Sequence, residues 1–281
     1  MAVVPSVAKL KSYLDALVDR YEQPAFIADD PIAIPHGFDD PRDREVIGLY
    51  AALLAWGRRA TIMNKLEELC ARMDYAPHAF VRNFDPERDR AALDGFVHRT
   101  FQPTDAFWLT HNLSLLLQQH GTVEHLFTRH LTPEALDVGP AIQGFSQSVM
   151  QVHPETPHRL RKHLARPKAG SACKRLAMYL RWMVRPGPVD FGQWTAVSTE
   201  QLVLPLDVHV GRQARALGFI ERRSNDWKAV QVLTDRCRLL DTADPARYDF
   251  AFFGVGAYEE ALDPAFTGVN AIDFTSPPTL R

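Results

Sequence analysis

Leu160-Arg-Lys-His-Leu-Ala-Arg166-Pro-Lys168-Ala-Gly170-Ser171-Ala-Cys-Lys174-Arg175-Leu-Ala-Met-Tyr-Leu-Arg181-Trp-Met-Val-Arg185 divides into three parts. Its first residues, from Pro157 to Ala165, predict a short basic helix. Pro167 and Gly170 then force a turn. From about Ser171 the apolar positions recur at helical spacing and predict about four turns ending at Arg185. No Asp or Glu occurs from Thr156 to Val189, whereas nine Lys and Arg do. Such a window inside a chain of formal net charge −2 suits an anionic ligand; a solvated helix face is the alternative.

Outward from that stretch the chain keeps the helical period. Val7 to Tyr21 places Leu10, Leu14 and Leu17 on one stripe. The prolines of Phe26 to His36 predict a connection without helix. Asp40 or Asp43 caps a helix that breaks near Gly57, and another runs from Ala60 to Met73. Helices follow at Pro77–Arg82, from Thr104 to Leu117, from Thr122 to His130 and from Val138 to Val152. Ser198-Thr-Glu-Gln201 reads as a capping sequence. Asp207 to Leu217, Asn225 or Asp226 to Leu240, and Asp244 to Gly254 complete the pattern. Strand alternation is nearly absent, so the fold class is all-α with more than ten helices.

At 281 residues the chain can bury a large core, and 46% apolar with 23% charged residues is ordinary for a globular protein. No run of ~18 apolar residues is present. The N-terminus lacks the layout of a signal peptide, which predicts a cytoplasmic protein. Cys70, Cys173 and Cys237 are too scattered for a zinc or iron–sulfur cage.

Three constellations could carry chemistry. At the start of the helix after Gly170, the amides of Ala169 to Cys173 would face outward and hold a phosphate. Lys174 in that first turn is either a surface lysine or an amine nucleophile, a role that needs its neutral form. In Leu202-Val-Leu-Pro205-Leu-Asp207-Val-His209-Val-Gly-Arg212, Asp207 is either an N-cap or a carboxylate facing a cleft. His209 is its partner or a core histidine; an Asp-x-His metal pair has no third ligand at suitable spacing. In Ala51-Ala-Leu-Leu-Ala-Trp56-Gly57-Arg58-Arg59, Trp56 and Arg58 stack on or clamp a base, or Trp56 is core. The apolar run from Tyr248 to Gly256 reads as buried core without chemistry.

The order of these pieces resembles the helix-hairpin-helix (HhH-GPD) DNA glycosylase superfamily. The matching segments are Ala51 to Arg59, Leu160 to Arg181, Leu204 to Arg212 and Phe250 to Gly256. The gap of 33 residues from Lys174 to Asp207, and the cation Arg181 seven residues after Lys174, look like the archaeal GO glycosylase branch, which removes 8-oxoguanine. The chain departs in lacking the hairpin Leu-Pro-Gly-Val-Gly, of which Pro167 and Gly170 remain, and in having Trp56 and Gly57 where glutamines are usual. It also resembles a bacterial family marked by Ser-Ala-Cys-Lys-Arg-Leu and Pro-Leu-Asp-Val-His-Val-Gly-Arg, which brings no activity.

The superfamily resemblance implies a two-lobed helical fold with a cleft, one lobe spanning roughly 55–165 and the other 1–54 plus 166–281. It implies Lys174 as nucleophile and Asp207 as catalytic aspartate of a glycosylase with AP-lyase activity on damaged double-stranded DNA. Gly170, Ser171, Lys168, Arg166, Arg175, Arg181 and Arg212 are the expected nucleic-acid contacts. Trp56, Arg58 and His209 are the candidates for the base pocket. No cofactor or metal is expected, no membrane partner, and a monomer. The competing expectation is a non-catalytic nucleic-acid-binding module on the same scaffold.

Overall fold

Ser6 Oγ accepts the amide of Lys9 and opens α1 (Val7–Tyr21), which buries Leu10, Leu14 and Val18 along one stripe. The structure, a computed structural model, describes residues 6–132, 134–258, 260–272 and 274. After α1 the expectation of a helix-free connection holds only in part. A 3-10 turn covers Pro24–Asp29, and a single α-turn, α2 (Ala33–His36), contains Pro35. Proline is tolerated in a first turn because the amide it lacks has no intrahelical acceptor there.

Asp40 caps α3 (Pro41–Leu54), accepting the Arg42 amide at 2.8 Å. Every residue of α3 from Glu45 to Leu54 is buried, so it is a central helix. Next come α4 (Arg59–Arg72), α5 (Pro77–Arg82) and α6 (Arg90–Leu93). The long helix α7 (Pro103–His120) starts at Gln102 rather than Thr104, because Gln102 and Asp105 cap each other and Pro103 fits the first position. Then follow α8 (Val123–Thr128), capped by Thr122 as expected, and α9 (Gly139–Gln151).

The basic segment before Gly170 forms 3-10 turns at His158–Lys162 and Pro167–Ala169, not an α-helix. Then α10 (Lys174–Val184) runs three turns, stopping one residue before Arg185 because Pro186 excludes helical backbone at its neighbour. The last helices are α11 (Val208–Ala216), α12 (Trp227–Arg238) and α13 (Asp249–Ala257). Among the described residues there are isolated β-bridges and no strands, and the class is all-α.

Helix α10 packs on α3 with the two running antiparallel. Tyr179 Oη donates to the Glu45 carbonyl at 2.8 Å near one end, and the Arg175 guanidinium donates to the Leu53 carbonyl at the other. Gly48 faces this contact: a Cβ there would lie 2.9 Å from Met183 Cε and 3.4 Å from Tyr179 Cε2. On its other sides α3 meets α2, α5 and α8, while α13 packs against α1 and α11. Glu45 sits inside this packing. Its Oε1 accepts Trp194 Nε1 at 2.7 Å and its Oε2 accepts the Val123 amide at 3.2 Å. Burial nevertheless pushes its carboxyl up to about 7.

Candidate functional site

The starts of α10, α11 and α12 converge. Gly170 and Cys173 both take left-handed backbone, at φ +78° and +52°, and turn the chain sharply into α10. Trp227 N donates to the Gly170 carbonyl at 3.3 Å, and Ser171 forms an antiparallel bridge with Asp226, the cap of α12. Asn225 Nδ2 donates to the Asp207 carbonyl at 2.8 Å. The loop from Asn225 to Trp227 therefore welds the Gly170 turn to the start of α11. Three positive helix ends gather there, which favours negative charge nearby.

Lys174 is the first residue of α10 and Asp207 is the cap of α11. The N-cap reading of Asp207 holds. One oxygen, Oδ1, accepts the Val210 amide at 3.0 Å, and Oδ2 lies 3.9 Å from Lys174 Nζ. The two side chains are 24% and 22% exposed, so a solute can reach them. Lys174 Nζ also lies 3.3 Å from Met178 Sδ, one turn along its own helix.

Behind this pair lie carboxylates that the sequence reading left out. Asp249 belongs to the stretch read as plain core. It is buried, its Oδ2 accepts Arg181 Nη1, and its Oδ1 has no partner. Burial pushes its carboxyl up to about 6; Arg181 opposes this, and Asp207 adds to it. Asp30 is likewise raised by burial, while its bond from the Ile32 amide and the nearby charges of Lys174, Arg181 and Arg59 pull it down.

Arg181 is therefore not a nucleic-acid contact. It is buried, bonded to Asp249 and 3.2 Å from Asp190. Two turns on the same stripe separate it from Lys174, and Arg185 lies one turn further, which is the sequence signal for a stripe of inward charge. Arg185 is held by Glu22, Asp190 and Asp244 at 2.8 to 2.9 Å. Arg159 makes two 2.9 Å bonds to fully buried Asp105, and Lys162 donates to the Thr100 carbonyl at 2.8 Å. The acid-free window thus finds its acids elsewhere in the chain. Arg166, Lys168 and Arg212 keep side chains without a partner among the described residues, and Lys168 and Arg212 are exposed. Of the expected phosphate-holding amides, those of Ala169, Gly170 and Cys173 are already bonded to Arg166, Pro167 and Ser171.

Trp56 is half-buried and surrounded. Arg175 lies 4.7 Å over its ring, His163 stacks 5.7 Å away and His98 meets it edge-on at 4.8 Å. Trp56, read as a base-stacking ring or as core, is thus packed against three side chains and only partly buried. Arg58 is exposed at the start of α4. His209 is exposed too, with Nδ1 3.1 Å from the Gly256 carbonyl, so it is tied to α13 rather than buried in the core. Among the described residues no group of three His, Cys, Asp or Glu is placed to hold a metal, and no helix is long and apolar enough to cross a membrane.

A family model described as "Protein of unknown function (DUF2400)" matches residues 30–258, a span that contains Asp30, Lys174, Asp207 and Asp249. No curated protein and no solved structure matches the chain.

Proposed function

Since the chain belongs to this DUF2400 family, whose description carries no activity, its chemistry is argued from its own residues, and we propose a DNA base-excision enzyme: a glycosylase with AP-lyase activity. The observation that carries the reading is the 3.9 Å separation of an accessible lysine amine and an accessible carboxylate at the joined starts of two helices. Amine and carboxylate at that distance can act on the same sugar.

In this reading the turn at Gly170 serves as the hairpin of a two-lobed helix-hairpin-helix arrangement, and a damaged base is flipped out of the duplex into the cleft between the lobes. The neutral amine of Lys174 attacks C1′ of the deoxyribose. The glycosidic bond breaks, its electron pair leaves with the base, and the base takes up a proton. Asp207 Oδ2 stabilises the positive charge that develops on the sugar, while Val210 and Asn225 hold the aspartate in place. Ring opening gives an imine to Lys174; loss of a C2′ proton then breaks the C3′–O bond by β-elimination.

Borohydride reduces such an imine to a permanent cross-link. Wild-type protein is expected to be trapped on a duplex from a panel of single lesions, 8-oxoguanine and an abasic site among them. Lys174→Gln should abolish trapping. Asp207→Asn should slow base release by at least ~100-fold, because a neutral amide stabilises the sugar cation poorly. Undiminished trapping by Lys174→Gln would sink the lysine mechanism. Failure of the wild type on every duplex would leave the non-catalytic binding module.

A further inference from the structure

Gln213 lies on α11 beyond the Asp207 cap and is only 7% exposed. Its backbone carbonyl accepts the Leu217 amide, but its side-chain amide makes no hydrogen bond among the described residues. A covered carboxamide without partners has lost hydration and gained nothing in return. Gln213 borders an open cavity of about 600 Å³, from which a partner can reach it.

The cavity exists because residues 260–272, after α13, are tied to α1 and to the end of α11 instead of lying along α11. The Asp263 amide donates to Tyr13 Oη at 3.0 Å, Phe266 stacks on the Tyr13 ring at 4.7 Å, and Glu260 pairs with Arg20 at 2.7 Å. The segment meets α11 again at Gly218, where a Cβ would stand 2.5 Å from the Ile272 carbonyl oxygen. Between these ties Arg212, Gln213 and Ala216 from α11 line the cavity together with Ala261, Leu262 and Thr267 from the segment.

Small-molecule sites occupy roughly 300–1,000 Å³, so the space suits a compact organic ligand with apolar surface against Ala216, Ala261 and Leu262. The Gln213 carboxamide offers a donor and an acceptor side by side. A nucleobase edge presents the complementary pair, and an amide side chain bonds both at once. A trans peptide group points its N–H and C=O to opposite sides and satisfies one of the two. Charge narrows the ligand further. Glu260, which also lines the cavity, is neutralised by Arg20, whereas Arg212 has no partner among the described residues, so the lining favours an anion.

We infer that the cavity between α11 and residues 260–272 binds a nucleotide, with Gln213 on the base edge and Arg212 on the phosphate. The site shares no residue with the Lys174–Asp207 pair and stands without the lysine chemistry. The nucleotide can be free or a unit of a nucleic-acid strand.

The test titrates the full chain calorimetrically, at fixed ionic strength in chloride. The probes are the 2′-deoxynucleoside 5′-monophosphates, the nucleosides themselves, a duplex with a single-stranded overhang beside its blunt form, and an N-acetyl dipeptide acid. Saturable binding of a monophosphate, or tighter binding of the overhang than of the blunt duplex, is expected; the first alone identifies a free nucleotide, the second a strand. Circular dichroism melting verifies that each variant folds. Gln213→Met keeps the side-chain length, removes the amide and should weaken binding at least ~10-fold. Arg212→Gln should remove the preference for the monophosphate over its nucleoside. Ala216→Phe fills the cavity and should abolish saturation, which keeps the test decisive where Gln213→Met does not fold. Four outcomes overturn the inference: no saturation by any monophosphate with overhang and blunt duplex alike, saturation by the dipeptide alone, an unchanged preference in Arg212→Gln, or binding by folded Ala216→Phe within about twofold of wild type. Nucleotide binding without trapping on any lesion keeps this site and removes the glycosylase reading. Trapping without nucleotide binding does the reverse.

Discussion

Glu45→Gln tests the interior with a magnitude the structure supplies. Glu45 is 7% exposed and joins α3 to Trp194 and to the start of α8. Its carboxyl stands at about 7 in the fold against an ordinary 4.5. The folded chain therefore holds a proton that the unfolded chain has released through that window. The stability this contributes is complete below pH 4.5 and is lost as pH rises through 7. At roughly 1.4 kcal/mol for each pH unit, the window corresponds to about 3 kcal/mol. The wild-type curve alone cannot isolate it. The raised carboxyls of Asp30, Asp190, Asp244 and Asp249 act with the same sign, and depressed His163 acts with the opposite one, losing stability as pH falls from 6.5 towards 4. The difference between variant and wild type cancels these. Glutamine keeps an oxygen for Trp194 but has no proton to release. Urea unfolding from pH 4.5 to 8.5 should show the variant gaining about 3 kcal/mol on the wild type across the range. A difference that stays flat, or that falls with pH, refutes the assignment of the proton to Glu45.

Asp249→Ala should destabilise the fold by about 3 kcal/mol in chemical denaturation, because it strands buried Arg181 with Asp190 at 3.2 Å as its remaining partner. Asp105→Ala should cost roughly 2 kcal/mol, as it removes both the α7 cap and the acid that holds Arg159; a melting curve like that of wild type would show those bonds to be dispensable. Gly57→Ala should lose roughly 1–3 kcal/mol through its φ of +115°, and a stability unchanged from wild type would contradict that strain.

What could be read from the sequence divides by the range of the forces involved. Helix starts are local events, and caps such as Asp40, Thr122, Asp207 and Asp226 were legible because a short polar side chain bonds an amide two or three residues away. The same locality put Lys174 and Asp207 at helix starts, while their 3.9 Å approach required the Asn225–Trp227 loop, which no local pattern announces. Charge was misread for the opposite reason. The window from Thr156 to Val189 contains no acid, and its arginines looked free. Yet an ion pair ignores sequence distance: Arg159 reaches Asp105, Arg181 reaches Asp249, and Arg185 reaches Glu22. A buried arginine must find such a partner, because an unpaired charge in the interior is too costly to keep. By that standard the informative cations are those still lacking an acid once the chain has folded. Arg159, Arg181 and Arg185 are accounted for by acids of the interior, and Arg175, covered and without an acid, is held by the Leu53 carbonyl and the Trp56 ring.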